Sequence, residues 1–164
     1  MAAGRAASDA YRSQAVEIGS VRVHAPAVPY RHVQGTNGEM WQWIGDGRSM
    51  VTYILASPRR RQPTAAAVRH VLNSEMARIT EEYDSVRPIR TGDIQISYVP
   101  GSRAAFRSTS IGVRSGIELH DSVLIASDAE GFYISHMVVP NTDINRDLAR
   151  AVTSSLEIVH RRTQ

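Results

Sequence analysis

The sequence predicts an α+β fold, an α/β/α sandwich around one central antiparallel β-sheet. Two observations carry that expectation: a long hairpin that is apolar on both faces, and two amphipathic helical stretches able to cover it. The hairpin spans Ser115 to Val139, where two runs rich in Ile, Val, Leu, Phe and Tyr flank Asp128-Ala129-Glu130-Gly131, a polar turn ending in glycine. Setting Ser127 opposite Phe132 places Ile125 opposite Ile134 and Val123 opposite His136. Side chains alternate along a strand, so one face then holds Ile117, Leu119, Val123, Ile125, Phe132, Ile134 and Val138. Leu124, Ala126, Tyr133 and Met137 make the other face apolar as well. A sheet with no polar face must be covered twice, usually by helices above and below.

The remaining elements follow in chain order. Residues 1–14 are small and polar and read as a disordered tail, leaving 15–162 as a single α/β domain. Val16-Glu17-Ile18 and Val21-Arg22-Val23-His24 alternate as a half-exposed strand does, interrupted at Gly19-Ser20 and stopped by the prolines of Ala25-Pro26-Ala27-Val28-Pro29. Residues 39–44 and 50–55 form a second hairpin around Gly45-Asp46-Gly47-Arg48. On one of its strand faces Trp41 and Trp43 stand side by side. Such a pair more often packs under a helix, each indole N–H finding an acceptor, and otherwise serves as a binding platform.

Val68, Val71, Leu72, Met76, Ile79 and Tyr83 recur at three- and four-residue steps, predicting an amphipathic helix over 64–83 with Thr64 as its N-cap. Residues 86–89 and 94–99 are short strands. A longer one covers 104–113, and its Ser and Thr content suits a partner-facing side. The last segment, 141–160, carries Ile144, Leu148, Ala151, Val152, Leu156 and Val159 on one helical stripe. Asp143 and Asp147 sit at its start and Arg161-Arg162 at its end, as the helix dipole favours.

At 164 residues the chain can bury a core without disulfides or metal. It has no cysteine, which excludes a disulfide framework, a thiolate metal site and a cysteine nucleophile. All 19 basic residues are arginine, a bias expected of a GC-rich, bacterial genome, and the formal charge is +3. The one run, Arg59-Arg60-Arg61, precedes the first helix and is a candidate anion-binding spot. Nucleic-acid binders concentrate their charge, whereas these arginines are scattered. Such binding would need Arg59, Arg60 and Arg61 to converge with Arg103, Arg107 and Arg114. No signal-peptide core and no run of about 20 apolar residues is present, so a soluble, cytoplasmic chain without membrane insertion is expected.

Catalytic patterns are absent: no G-x-S-x-G, no phosphate loop, no G-x-G-x-x-G, no H-E-x-x-H, and no lysine for a Schiff base. The hairpin register puts Asp121 and His136 diagonally on one face, within hydrogen-bond reach, and His120 on the other. The two histidines therefore do not share a metal, and neither metal nor cofactor is expected. Asp121 and His136 could be a general base with its orienting carboxylate in a small hydrolase, or part of a ligand site. A core histidine satisfied by a local acceptor is the simpler alternative. Glu81, Glu82 and Asp84 crowd the end of the first helix against its dipole, which calls for compensation by arginines of the same chain.

The order strand, hairpin, helix, antiparallel strands, C-terminal helix, with VRVHAPA leading to the Trp-bearing hairpin and GFYISHMVVP feeding the last helix, resembles the PsbP-like fold family. That family takes in the photosystem subunit PsbP, a Ran-binding import factor of yeast and actinobacterial LpqN-type proteins. The resemblance spans about residues 15–160. It implies a sandwich about one antiparallel sheet and a role in binding other proteins without catalysis. LpqN-type members are exported lipoproteins, and this chain departs from them in lacking the lipid-bearing cysteine. The sequence reading is thus a non-catalytic protein-binding or adaptor module of a bacterial, secretion- or envelope-associated system. Its candidate partner surfaces are Trp41, Trp43, Arg107 and Ser110; its partner is another protein, and no oligomeric state is assigned.

Overall fold

The computed structural model describes residues 14–18, 20–25, 30–35, 38–44, 50–56, 64–88 and 95–159. Of the tail expected over 1–14, residues 1–13 lie outside the described residues, as do the turn at 45–48, the Arg59-Arg60-Arg61 run and Arg161-Arg162, while Gln14 already opens the first strand. The elements are β1 (Gln14–Ile18), β2 (Val21–Ala25), β3 (Tyr30–Gly35), β4 (Gly38–Ile44), β5 (Met50–Ala56) and α1 (Ala65–Glu81). They continue with β6 (Ser85–Pro88), β7 (Gln95–Ile96), β8 (Ala104–Arg114), β9 (Ile117–Ser127), β10 (Phe132–Pro140), α2 (Asp143–Ser154) and β11 (Glu157–Ile158).

An eight-stranded antiparallel sheet runs in the order β3-β4-β5-β10-β9-β8-β6, with β7 also paired to β8. At its centre, β9 and β10 pair with Ser127 opposite Phe132, Ile125 opposite Ile134 and Val123 opposite His136, the register read from the sequence. The turn is fixed by Asp128, whose Oδ1 accepts the backbone N–H groups of Glu130 (2.8 Å) and Gly131 (3.1 Å) and the Tyr133 hydroxyl (3.1 Å). Between β8 and β9, Ser115 (φ 51°) and Gly116 (φ 75°) are both left-handed, the two-residue hairpin geometry that matches strand twist.

Each face of this sheet has its own apolar layer. On one side Val123, Ile125 and Ile134 pack under Val68, Leu72 and Ile79 of α1. Thr64 caps that helix by accepting the Ala67 N–H through its side chain at 3.1 Å. On the other side Leu124, Ala126, Tyr133 and Met137 meet Trp41 and Trp43 of β4, Ala149 and Val152 of α2, and Leu156 beyond it.

Two expectations need correcting. The central sheet is not alone, because β1, β2 and β11 form a separate three-stranded sheet whose Val21, Val23 and Ile158 complete the layer around α2. The C-terminal helix also stops at Ser154 instead of running to 160. The Ser155 hydroxyl donates to Val152 O (2.6 Å), satisfying one of the last carbonyls from a side chain, and the Thr153 hydroxyl bonds back to Ala149 O (2.7 Å). Ser155 Oγ in turn accepts the His24 N–H at 2.9 Å, and the chain continues as β11 along β2. A further strand, β3, pairs with β4 where the sequence reading placed none.

Because Leu72 and Leu156 are fully buried on opposite faces, truncating either to Ala should cost about 2–5 kcal/mol in urea unfolding. Ile144→Ala, on the exposed side of α2, should change stability by less than about 0.5 kcal/mol. Equal small losses at all three positions would contradict a sheet covered on both faces.

Candidate functional site

Two polar groupings interrupt the apolar layers, one on each face. Under the C-terminal end of α1, Asp121 of β9 is fully buried and accepts two hydrogen bonds. His136 Nε2 lies 2.9 Å from Asp121 Oδ1, and the Tyr83 hydroxyl donates to Oδ2 at 2.8 Å. Burial, reinforced by the Asp121 carboxylate, pushes the Tyr83 phenol well above its usual range, so it remains a donor. The ring of Tyr83 lies on Gly112 of β8, the close approach that requires a residue without a Cβ. Arg114 sits 5.9 Å from the ring centroid, at cation–π distance.

Those contacts make the Asp121–His136 pair a satisfied core network. Ser110, paired with Asp121 across β8 and β9, is buried too, and its hydroxyl has no hydrogen-bond partner among the described residues. No hydroxyl nucleophile is hydrogen-bonded to His136 among the described residues, and the ring is buried at 7% exposure.

On the opposite face an open polar cleft of about 420 Å³ lies between the sheet and α2. Strand alternation turns Arg107, Thr109, His120 and Ser122 toward it, while Gln95 closes one side. From α2, Asp143, Arg146, Asp147 and Arg150 face in, spaced at three and four residues so that they share one helix stripe. The Arg107 guanidinium donates to Ser154 Oγ at 2.8 Å, and Arg146 donates to Asn141 Oδ1 at 2.6 Å and pairs with Asp143. Burial and the neighbouring Arg150 both act against the charge on Arg107. Burial first, then Arg146 and Arg150, hold His120 below the ordinary imidazole range, against the pull of Asp121. His120 is only 5% exposed, and its Nδ1 has no hydrogen-bond partner among the described residues.

The structure separates the residues grouped by the sequence reading. Trp41 and Trp43 are 8% and 2% exposed, and they do not form a solvent-facing platform, because their face of β4 turns into the core beside α2. His32 stacks on Trp41 (centroids 4.6 Å apart) and Tyr30 tilts against Trp43 (5.1 Å), adding a lid from β3. Arg107 and Ser110 fall on opposite faces of β8, three residues apart in a period of two, so they cannot share a surface. Only Arg107 reaches the cleft. Of the acidic cluster only Glu82 meets an arginine among the described residues, Arg78 at 3.1 Å, which also bridges Glu75 (3.0 Å); Asp84 instead accepts the Ser115 N–H. Among the described residues no group of His, Asp or Glu could hold a metal ion, and no helix is long and apolar enough to cross a membrane.

The cleft was not foreseen. Its members come from four separate segments, β7, β8, β9 and α2, and of those on α2 the sequence singles out only Asp143 and Asp147, as helix-dipole residues.

No protein-family model and no curated protein matches the chain. Among solved structures it is similar to LpqN, described as involved in cell envelope biogenesis of Mycobacterium tuberculosis. The TM-score is 0.58 at 11% identity, covering 91% of either chain. A Bacteroides thetaiotaomicron protein matches with TM-score 0.52 at 10% identity over 88% of this chain, which spans 46% of that one. A mutant of Mog1 gives a TM-score of 0.49 at 10% identity, covering 90% of this chain and 96% of that one. The fold is thus the α+β, PsbP-like sandwich that the sequence suggested.

A histidine held neutral by the fold takes up its proton less readily folded than unfolded, so its stabilising contribution is complete above the unfolded pKa and is lost as pH falls below it. Between about pH 7 and pH 5 the wild type should therefore lose more unfolding free energy than His120→Gln does. Parallel losses in urea titrations of the two would contradict a neutral, buried His120.

Proposed function

We propose that this protein is a non-catalytic protein-binding module. The observation that carries the reading is the contrast between its buried acid–base pair and an exposed apolar pair at the sheet edge. Ile96 of β7 and Tyr98 just beyond it are 88% and 85% exposed. The Ser97 N–H donates to Ala105 O at 2.9 Å, so the stretch stays extended and both side chains project to the same side. Covering each large apolar side chain would contribute about 1.5–3 kcal/mol, the scale of an interface anchor. A catalytic reading through Asp121 and His136 has no support comparable to this, because both are satisfied inside the core.

The setting we favour is a bacterial envelope or secretion system, by analogy with LpqN, whose description concerns cell envelope biogenesis. Another protein is the partner class that the edge chemistry suits. Adaptor use and compartment belong to this proposal as well.

The test is affinity capture from the host with wild type and with the Ile96→Ser/Tyr98→Ser double variant, each first shown to be folded by circular dichroism. A specific protein recovered by the wild type and lost by the variant is the expected outcome. An identical set of captured proteins, or turnover of an ester or phosphoester substrate that disappears in His136→Gln, would overturn the reading.

A further inference from the structure

We propose that the cleft between α2 and strands β8 and β9 binds a small molecule bearing a phosphate or carboxylate group. The proposal is independent of the protein-binding reading, since the cleft and the exposed apolar pair are made by different side chains.

Three guanidinium groups, those of Arg107, Arg146 and Arg150, line a space of about 420 Å³, within the range of small-ligand pockets. Two carboxylates share it, leaving an excess of one positive charge. Asp143 is already committed to Arg146, with its side chain largely in solvent. Arg150 makes no ion pair among the described residues, and it lines the same cleft close enough to Arg107 to act against that guanidinium's charge. Two like charges set together at the wall of a half-enclosed cleft are unfavourable until an anion comes between them. Guanidinium groups suit that role because their planar forks match carboxylate and phosphate oxygens.

The floor of the cleft is polar as well. His120 is nine-tenths buried and lines the cleft, yet its Nδ1 has no partner, and neither does Nε of Arg107 among the described residues. Thr109 and Ser122, facing each other across β8 and β9, add hydroxyls that can donate to the same oxygens. An imidazole held neutral by its surroundings can still donate one hydrogen bond, so an anion is accommodated without titrating it.

The experiment measures saturable binding of inorganic phosphate and, separately, of malonate to the intact chain by calorimetry and by the rise in melting temperature. We expect at least one of them to saturate, phosphate alone indicating a phosphoryl ligand and malonate a carboxylate. Arg150→Gln should weaken that binding about tenfold, the loss of one charge-assisted hydrogen bond. Arg78→Gln, on the exposed side of α1, is the control and should leave it unchanged. Arg150 is exposed, so its substitution should not compromise folding. Absence of saturable binding of either anion, or equal weakening by the two substitutions, would overturn the site. Neither result bears on capture through Ile96 and Tyr98.

Discussion

Every strand residue from Leu119 to Ser127 and from Tyr133 to Val139 is buried, and that double burial of β9 and β10 is the constraint from which the rest of the molecule follows. A central strand pair in this state has no solvent face to spend polar residues on. Its two surfaces must each find an apolar partner, and they find different ones: a single helix on one side, and a helix with a small sheet on the other. The small sheet exists because α2 alone is short. At twelve residues it covers only part of its face, and β1, β2 and β11 close the remainder.

Polar groups inside such layers must be paired or carry a cost, and the two faces resolve this differently. On the α1 side Asp121 is satisfied by His136 and Tyr83, with Gly112 vacating the space that the tyrosine ring needs. On the α2 side the polar residues stay half-open, with arginines facing one another across a cleft and His120 lacking a partner for Nδ1. The Asp121 carboxylate is therefore satisfied inside the core beside an unpaired Ser110 hydroxyl, whereas the α2-side charges line a cleft. That difference, more than residue type, separates structural polar chemistry from chemistry available to a ligand.

The centre of the fold was legible in the sequence because local chemistry fixes it. The Asp128–Gly131 turn sets the register of β9 against β10, and the register alone brings Asp121 and His136 into contact. What local patterns could not give were partners far along the chain. Tyr83 lies 38 residues from the carboxylate it binds, and nothing near it in sequence announces the contact. Leu156 and Val159 extend the helical stripe in sequence but flank the short strand Glu157–Ile158 that pairs with β2, so local periodicity carries α2 past its true end. Alternation did contain the separation of Arg107 from Ser110, and it also placed both tryptophans on one face, without saying that the face turned inward.

The central claim is that the β9–β10 pair is protected from both sides at once. Native-state hydrogen exchange followed residue by residue tests it most directly, since amides sealed between two apolar layers open only when the whole domain does. The account predicts that the amides of Val123, Ile125, Ile134 and Met137 exchange with the free energy of global unfolding, and that this energy falls in step for Leu72→Ala and Leu156→Ala. Exchange of these amides through a local opening well below the global value, insensitive to either substitution, would contradict it.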